Sequence, residues 1–186
     1  MRPVRPVLLL LLLLLAGCRP PAGPDIYLAR GVPFRLCPPE AEPDFFATQQ
    51  VEFTLPGGHR ELLLAAVENK GGVLSMVAST PMGQTLFTIR VQSGTATVDA
   101  RVPLPAQLDP RLLPALVQFS LWPEEVLRAG LAPGVRLEQD GARRTLLRKG
   151  KVVWTVLREG EGPAYAGLTL ENPAQGVTLR IRALEE

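Results

Sequence analysis

A mainly β (α+β) fold is what this chain of 186 residues predicts: a curled antiparallel sheet, or half-open barrel, of about ten strands with a helical lid inserted mid-chain. Three observations carry that expectation. From Gln49 to Val102, short alternating apolar runs are separated by glycine-bearing turns at roughly ten-residue intervals. The alternation stops once, over DPRLLPALVQFSLWPEEVLRAGL, and then resumes almost to the end of the chain. Strand twist accumulates, so flat open sheets of about ten strands are unusual, and a sheet of this length curls. Its apolar concave face then needs a cover, and the interrupting segment is the available one.

Taken in order, VEFTL places Val51, Phe53 and Leu55 on one face and Glu52 and Thr54 on the other. Gly57-Gly58 turns the chain into RELLLAAVE, and Lys70-Gly71-Gly72 into VLSMVAST. In QTLFTIRVQ, Thr85, Phe87, Ile89 and Val91 oppose Leu86, Thr88 and Arg90; TATVDARV follows after Ser93-Gly94. In the interruption, Asp109 can cap, Pro110 suits a first helical position, and Leu112, Leu116 and Phe119 make an apolar stripe. Pro114 is expected to kink or shorten that helix. A second helix starts at Pro123-Glu124-Glu125, with acids at its positive end, and stops near Gly130. VRLEQ, RTLLRK, KVVWTVLRE, GLTLEN and VTLRIRAL supply the remaining strands.

The first residues obey different rules. Arg2 and Arg5 precede an apolar run from Val7 to Ala16, too short to span a ~30 Å hydrocarbon core. Charge, apolar run and small residues then lead to Leu15-Ala16-Gly17-Cys18, which resembles the bacterial lipobox. That resemblance implies a signal peptide over 1–17 and lipidation of Cys18 by diacylglycerol and a further acyl chain such as palmitate. Anchoring by more than one chain is firm, at ~0.8 kcal/mol per buried methylene. Arg19 stands where an aspartate would resemble an inner-membrane retention signal, so the expected location is the periplasm-facing outer membrane of a Gram-negative bacterium. Seven prolines between Pro20 and Pro43 predict a lipidated tether over 18–44, ahead of a folded domain over 45–186.

Without the leader's two arginines, basic residues equal the 18 acidic ones, so no electrostatic argument favours nucleic acid. His59 is the single histidine, and no HExxH, CxxC, GxSxG or GxxxxGK[ST] occurs. No catalytic residue, metal ligand or cofactor is expected. Cys37 reads as a small semi-buried hydrophobe. Arg143, Arg144, Arg148, Lys149 and Lys151 read as a solvated strand edge. Within STPMGQTLF, Pro81 and Gly83 supply turn chemistry around Met82, whose thioether either folds into a core or is displayed for something apolar to meet.

The order Thr80-Pro81-Met82-Gly83-Gln84-Thr85, a Gly94 turn, an insert with Trp122-Pro123 and Leu127, a strand pair around Gly150 and Trp154, and a closing VTLRIRAL is similar to the Lol carrier/receptor (LolA/LolB-like) fold group. LLPALVQFSLWPEEVLRAGL also resembles a family of lipoproteins of uncharacterised function within that group. The resemblance implies a non-catalytic protein that binds the acyl chains of lipoproteins or another amphiphile and transfers them to the membrane, with a periplasmic carrier protein as a partner. It also implies a membrane-insertion loop at Pro81, Met82 and Gly83. Expected cavity walls are Phe87, Ile89, Val98, Trp154, Val156, Leu168 and Leu170, and the expected lid is Leu116, Phe119 and Trp122. Ordinary core packing fits the same residues. The group's helix before the first strand has no helical stripe to match it here, which predicts a thinner lid. The rival reading is a structural lipoprotein scaffolding an envelope complex without a lipid ligand.

Overall fold

The structure, a computed structural model, describes residues 26–103, 109–160 and 166–184. Ten antiparallel strands form one sheet from two five-stranded meanders. The first comprises β3 (Phe45–Thr54), β4 (Arg60–Lys70), β5 (Val73–Ser79), β6 (Thr85–Gln92) and β7 (Thr95–Ala100). The second comprises β8 (Val135–Asp140), β9 (Arg143–Arg148), β10 (Lys151–Glu159), β11 (Gly167–Asn172) and β12 (Val177–Ala183). They join where the last strand pairs with the first of the set, giving the order β7-β6-β5-β4-β3-β12-β11-β10-β9-β8. The expected curled, unclosed sheet is therefore present, and each of its ten strands coincides with an alternating run in the sequence.

This topology dictates where the helices lie. β7 and β8 are the two outer edges, so the chain joining them must travel from one edge to the other. It carries α1 (Leu112–Leu121) and α2 (Glu124–Gly130), whose apolar faces enter the same core as the concave side of the sheet. Pro114 neither kinks nor shortens α1, because it lies in the first turn, where its missing N–H has no intrahelical acceptor to lose. Asp109 acts one step earlier than expected. Its carbonyl accepts from Leu112 N at 3.0 Å and its carboxylate from Arg111 N at 3.0 Å, with no side-chain bond at the helix cap itself.

The expected tether over 18–44 is corrected from Ile26 onward. A two-stranded hairpin, β1 (Ile26–Ala29) and β2 (Val32–Phe34), is followed by a 3-10 turn at Pro39–Ala41. Ile26, Leu28, Val32, Phe34, Leu36 and Cys37 are all buried in the common core. Trp154 Nε1 donates to Leu28 O at 2.6 Å, and Gln118 clasps Cys37 through two 2.8 Å bonds, one to its N–H and one to its carbonyl. Pro33 sits inside β2, in a hairpin of only two strands, and Pro38, Pro39 and Pro43 fall outside the strands. Strands of four and three residues are too short to register as periodicity. The lid is therefore not thin: a β-hairpin and a turn take up space beside α1 and α2.

Gly130 marks the closest approach in this region. Arg35 N donates to Gly130 O at 2.9 Å, and a Cβ at Gly130 would meet Arg35 O at 2.4 Å and Phe34 Cε2 at 2.9 Å. Neither a backbone carbonyl nor a fully buried ring moves cheaply. Gly130→Ala is expected to lower stability by about 1–3 kcal/mol, read as a shift of the urea midpoint at unchanged slope.

Candidate functional site

An apolar recess lies between α1 and the sheet. Its volume is about 50 Å³, and its walls come from β3–β6, β11 and β12 on one side and Leu113, Leu116, Val117 and Ser120 of α1 on the other. Water occupies about 30 Å³ in the liquid, and pockets for drug-sized ligands run to about 300–1,000 Å³. With α1 seated, the recess is a small void in a packed interior.

Among the expected cavity-wall residues, Phe87, Leu168 and Leu170 line this recess. Ile89, Trp154 and Val156 do not; they are at most 2% exposed and packed within the shared core. Val98, on edge strand β7, is only partly buried. For β10 the cause is the N-terminal hairpin, which packs beside that strand and to which Trp154 bonds directly. Among the expected lid residues, Leu116 faces the recess, whereas Phe119 and Trp122 are core residues at 1% and 0% exposure. Trp122 Nε1 donates to Pro38 O at 3.1 Å, and its ring stands edge-on to Phe45 at 6.5 Å.

Leu113 and Val117 were not among the expected lining residues, nor were Val51, Phe53, Leu179 and Ile181. Alternation in VEFTL places Val51 and Phe53 on one apolar face, and in VTLRIRAL it does the same for Leu179 and Ile181. Which part of that face would stay uncovered depends on how the hairpin docks.

Met82 takes the displayed alternative, at 96% exposure. Gly83 N donates to Thr80 O at 2.9 Å, Thr80 N donates to Gln84 O at 2.9 Å, and Gly83 has φ +84°. This is the three-residue hairpin in which a β-turn is followed by a left-handed glycine. The tip projects Met82 beyond the strands, and the β5–β6 hairpin that carries it also contributes Met76, Ala78 and Phe87 to the recess. The turn at Leu55–His59 emerges at the same end of the sheet, and Leu55 is itself exposed.

Two buried polar side chains, Gln118 and Arg144, tie α1 to the N-terminal segment and to β9. Arg144 does not belong to a solvated edge. It alternates with Leu146 on the concave face of β9, is 4% exposed, and donates through Nη1 to Phe119 O at 2.7 Å and Trp122 O at 2.9 Å. Its other edge, Nε and Nη2, meets Gln139 Oε1 at 3.2 and 2.9 Å. Burial, then the neighbouring Arg158 charge, depresses its pKa below the usual guanidinium range, while Glu124 and Glu42 oppose the shift. A guanidinium stays charged regardless, and here it sits at the negative end of the α1 dipole.

Cys37 is buried, with its thiol pushed up to about 11 by desolvation and its Sγ 3.5 Å from Val126 O. His59 is exposed, with Nε2 2.7 Å from Glu61 Oε1. Among the described residues no cluster of three or more histidines, cysteines and acids could hold a metal, and no helix is long and apolar enough to cross a membrane. Cys18 lies outside the described residues.

The comparison with curated proteins gave no match. Among solved structures, the fold is similar to a LolA superfamily protein from Nitrosomonas europaea, at a TM-score of 0.43 and 12% sequence identity, covering 79% of this chain and 88% of that one. Residues 47–185, from β3 to just beyond β12, match the family described as "Protein of unknown function (DUF3261)". The matched span takes in both meanders and both helices, and the chain belongs to that family.

Proposed function

We propose that this protein is a lipid-anchored protein of the outer membrane that handles acyl chains, meeting the membrane with its Met82 tip and taking a chain beneath α1. The observation that carries the reading is the 96% exposure of Met82 on a hairpin whose inner face lines the apolar recess. Burying a side chain of this size in lipid contributes about 1.5–3 kcal/mol, too little to anchor a protein. It suffices for a local contact when lipid on Cys18 already holds the body nearby. The lipobox-like Leu15–Cys18 supports that anchor. An acyl chain exceeds a 50 Å³ void, so loading requires α1 to lift from the sheet. Cargo would be a lipoprotein or another amphiphile, and a soluble periplasmic carrier would be its donor.

Met82→Glu tests the reading. The side chain touches no core, so stability is expected to stay within about ±0.5 kcal/mol. Association of the unlipidated protein with phospholipid vesicles should drop by about ten- to a hundredfold, the equivalent of losing about 1.5–3 kcal/mol of burial. Acyl occupancy is read separately, by native mass spectrometry after incubation with a long-chain fatty acid. Vesicle binding that ignores Met82→Glu, together with no fatty-acid adduct, refutes the proposal. The nearly filled interior favours the second reading, a scaffold for an envelope complex, and that pair of results would select it.

A further inference from the structure

We propose that a cleft on the convex face of the sheet, formed by Arg60, Arg180 and Arg182 around Glu52, binds a phosphate-bearing group. The cleft is independent of the recess, on the opposite side of β3, β4 and β12, with a volume of about 250 Å³ and Gln50 as its remaining wall residue. Register builds it. Arg180 stands directly opposite Glu52, Arg182 opposite Gln50, and Arg60 opposite Thr54, so all three emerge on one face, in neighbouring rows of β12, β3 and β4.

Two guanidinium groups, those of Arg60 and Arg180, share one carboxylate, and Arg182 lines the same cleft. Arg60 Nη1 lies 3.7 Å and Arg180 Nη1 3.9 Å from Glu52 Oε1, beyond hydrogen-bonding distance, and that oxygen is covered yet unbonded. Glu52 therefore draws Arg60 and Arg180 together without saturating them, and the cleft lining holds three cations against one anion. Two further acids lie on this face: Glu171 of β11, opposite Thr178, and Glu159 of β10, whose carboxylate lies over Gly167, the residue opposite Arg182. Like charges held this close repel unless an anion joins them, and a planar guanidinium presents paired N–H groups that match phosphate oxygens. The space admits a phosphate and its waters but no large ligand. Arg60 begins β4 at the end of the sheet that carries Leu55 and Met82, which would set the cleft beside a membrane met by that tip.

The test uses the purified protein with Arg180→Gln/Arg182→Gln, against Arg136→Gln/Arg143→Gln, an equal charge change at exposed positions of β8 and β9. Probes are inorganic phosphate, followed by calorimetry, and vesicles of phosphatidylcholine with or without phosphatidylglycerol. The cleft variant is expected to lose about tenfold in phosphate affinity, the effect of one lost charge-assisted hydrogen bond, while the control stays within about twofold. A parallel loss on phosphatidylglycerol vesicles assigns the ligand to a lipid headgroup; loss on inorganic phosphate alone assigns it to a free phosphate compound. No binding by the unsubstituted protein, or equal effects of the two double variants, overturns the proposal. Phosphate affinity should be indifferent to Met82→Glu, so this site and the acyl-handling reading fail separately.

Discussion

Arg144→Ala is expected to lower the unfolding free energy by about 2–6 kcal/mol, the cost of leaving two buried carbonyl acceptors without their donor. The guanidinium is 4% exposed and joins three groups that water cannot easily reach: the carbonyls of Phe119 and Trp122 and the side chain of Gln139. Alanine leaves those two carbonyls at the end of α1 without a donor, and each buried unsatisfied acceptor costs about 1–3 kcal/mol. It also removes a cation from the negative end of the helix dipole. Arg144→Lys should recover only part of the loss, because one ammonium cannot serve both edges. Guanidinium chloride denaturation at constant slope reads the effect. A loss below about 1 kcal/mol for Arg144→Ala would show that water reaches these carbonyls and that the α1–β9 contact is not closed.

Trp122→Ala is the second large effect, about 3–5 kcal/mol, the range for truncating a buried aromatic. Trp122 is fully buried at the junction of α1 and α2, packs edge-on against Phe45 at the start of β3, and bonds to Pro38 O. One substitution thus removes the contact among lid, sheet and N-terminal segment. Trp122→Phe separates the two contributions, since it keeps much of the ring volume and loses the N–H. Its expected cost is about 1–3 kcal/mol from the Pro38 carbonyl and the residual void. If the alanine variant is no less stable than the phenylalanine variant, the indole is not packed as described.

Both effects fall on residues whose roles the sequence concealed in different ways. For Trp122 the sequence left lid and core packing both open, because its partners Pro38 and Phe45 lie more than 75 residues away in the chain. Arg144 sits in a run with Arg143, Arg148, Lys149 and Lys151, and composition alone makes that run a solvated edge. Its alternation with Leu146 was the available signal that it faces inward. Met82 was legible as a turn residue between Pro81 and Gly83, but alternation ends at the turn and does not say which way the thioether points.

Local chemistry by itself determined the ten strands, the turns between them and the two helices, because a period of two, a helical stripe and glycine turns are properties of consecutive residues. Tertiary structure alone decided that the apolar side chains between Ile26 and Cys37 pack inside, that most of the concave face is thereby filled, and that three arginines and Glu52 line one cleft on the other side. Those outcomes depend on which strands become neighbours. β12 joins β3 across most of the chain, and that single pairing places Arg180 opposite Glu52 on the convex face and Leu179 and Ile181 on the apolar side.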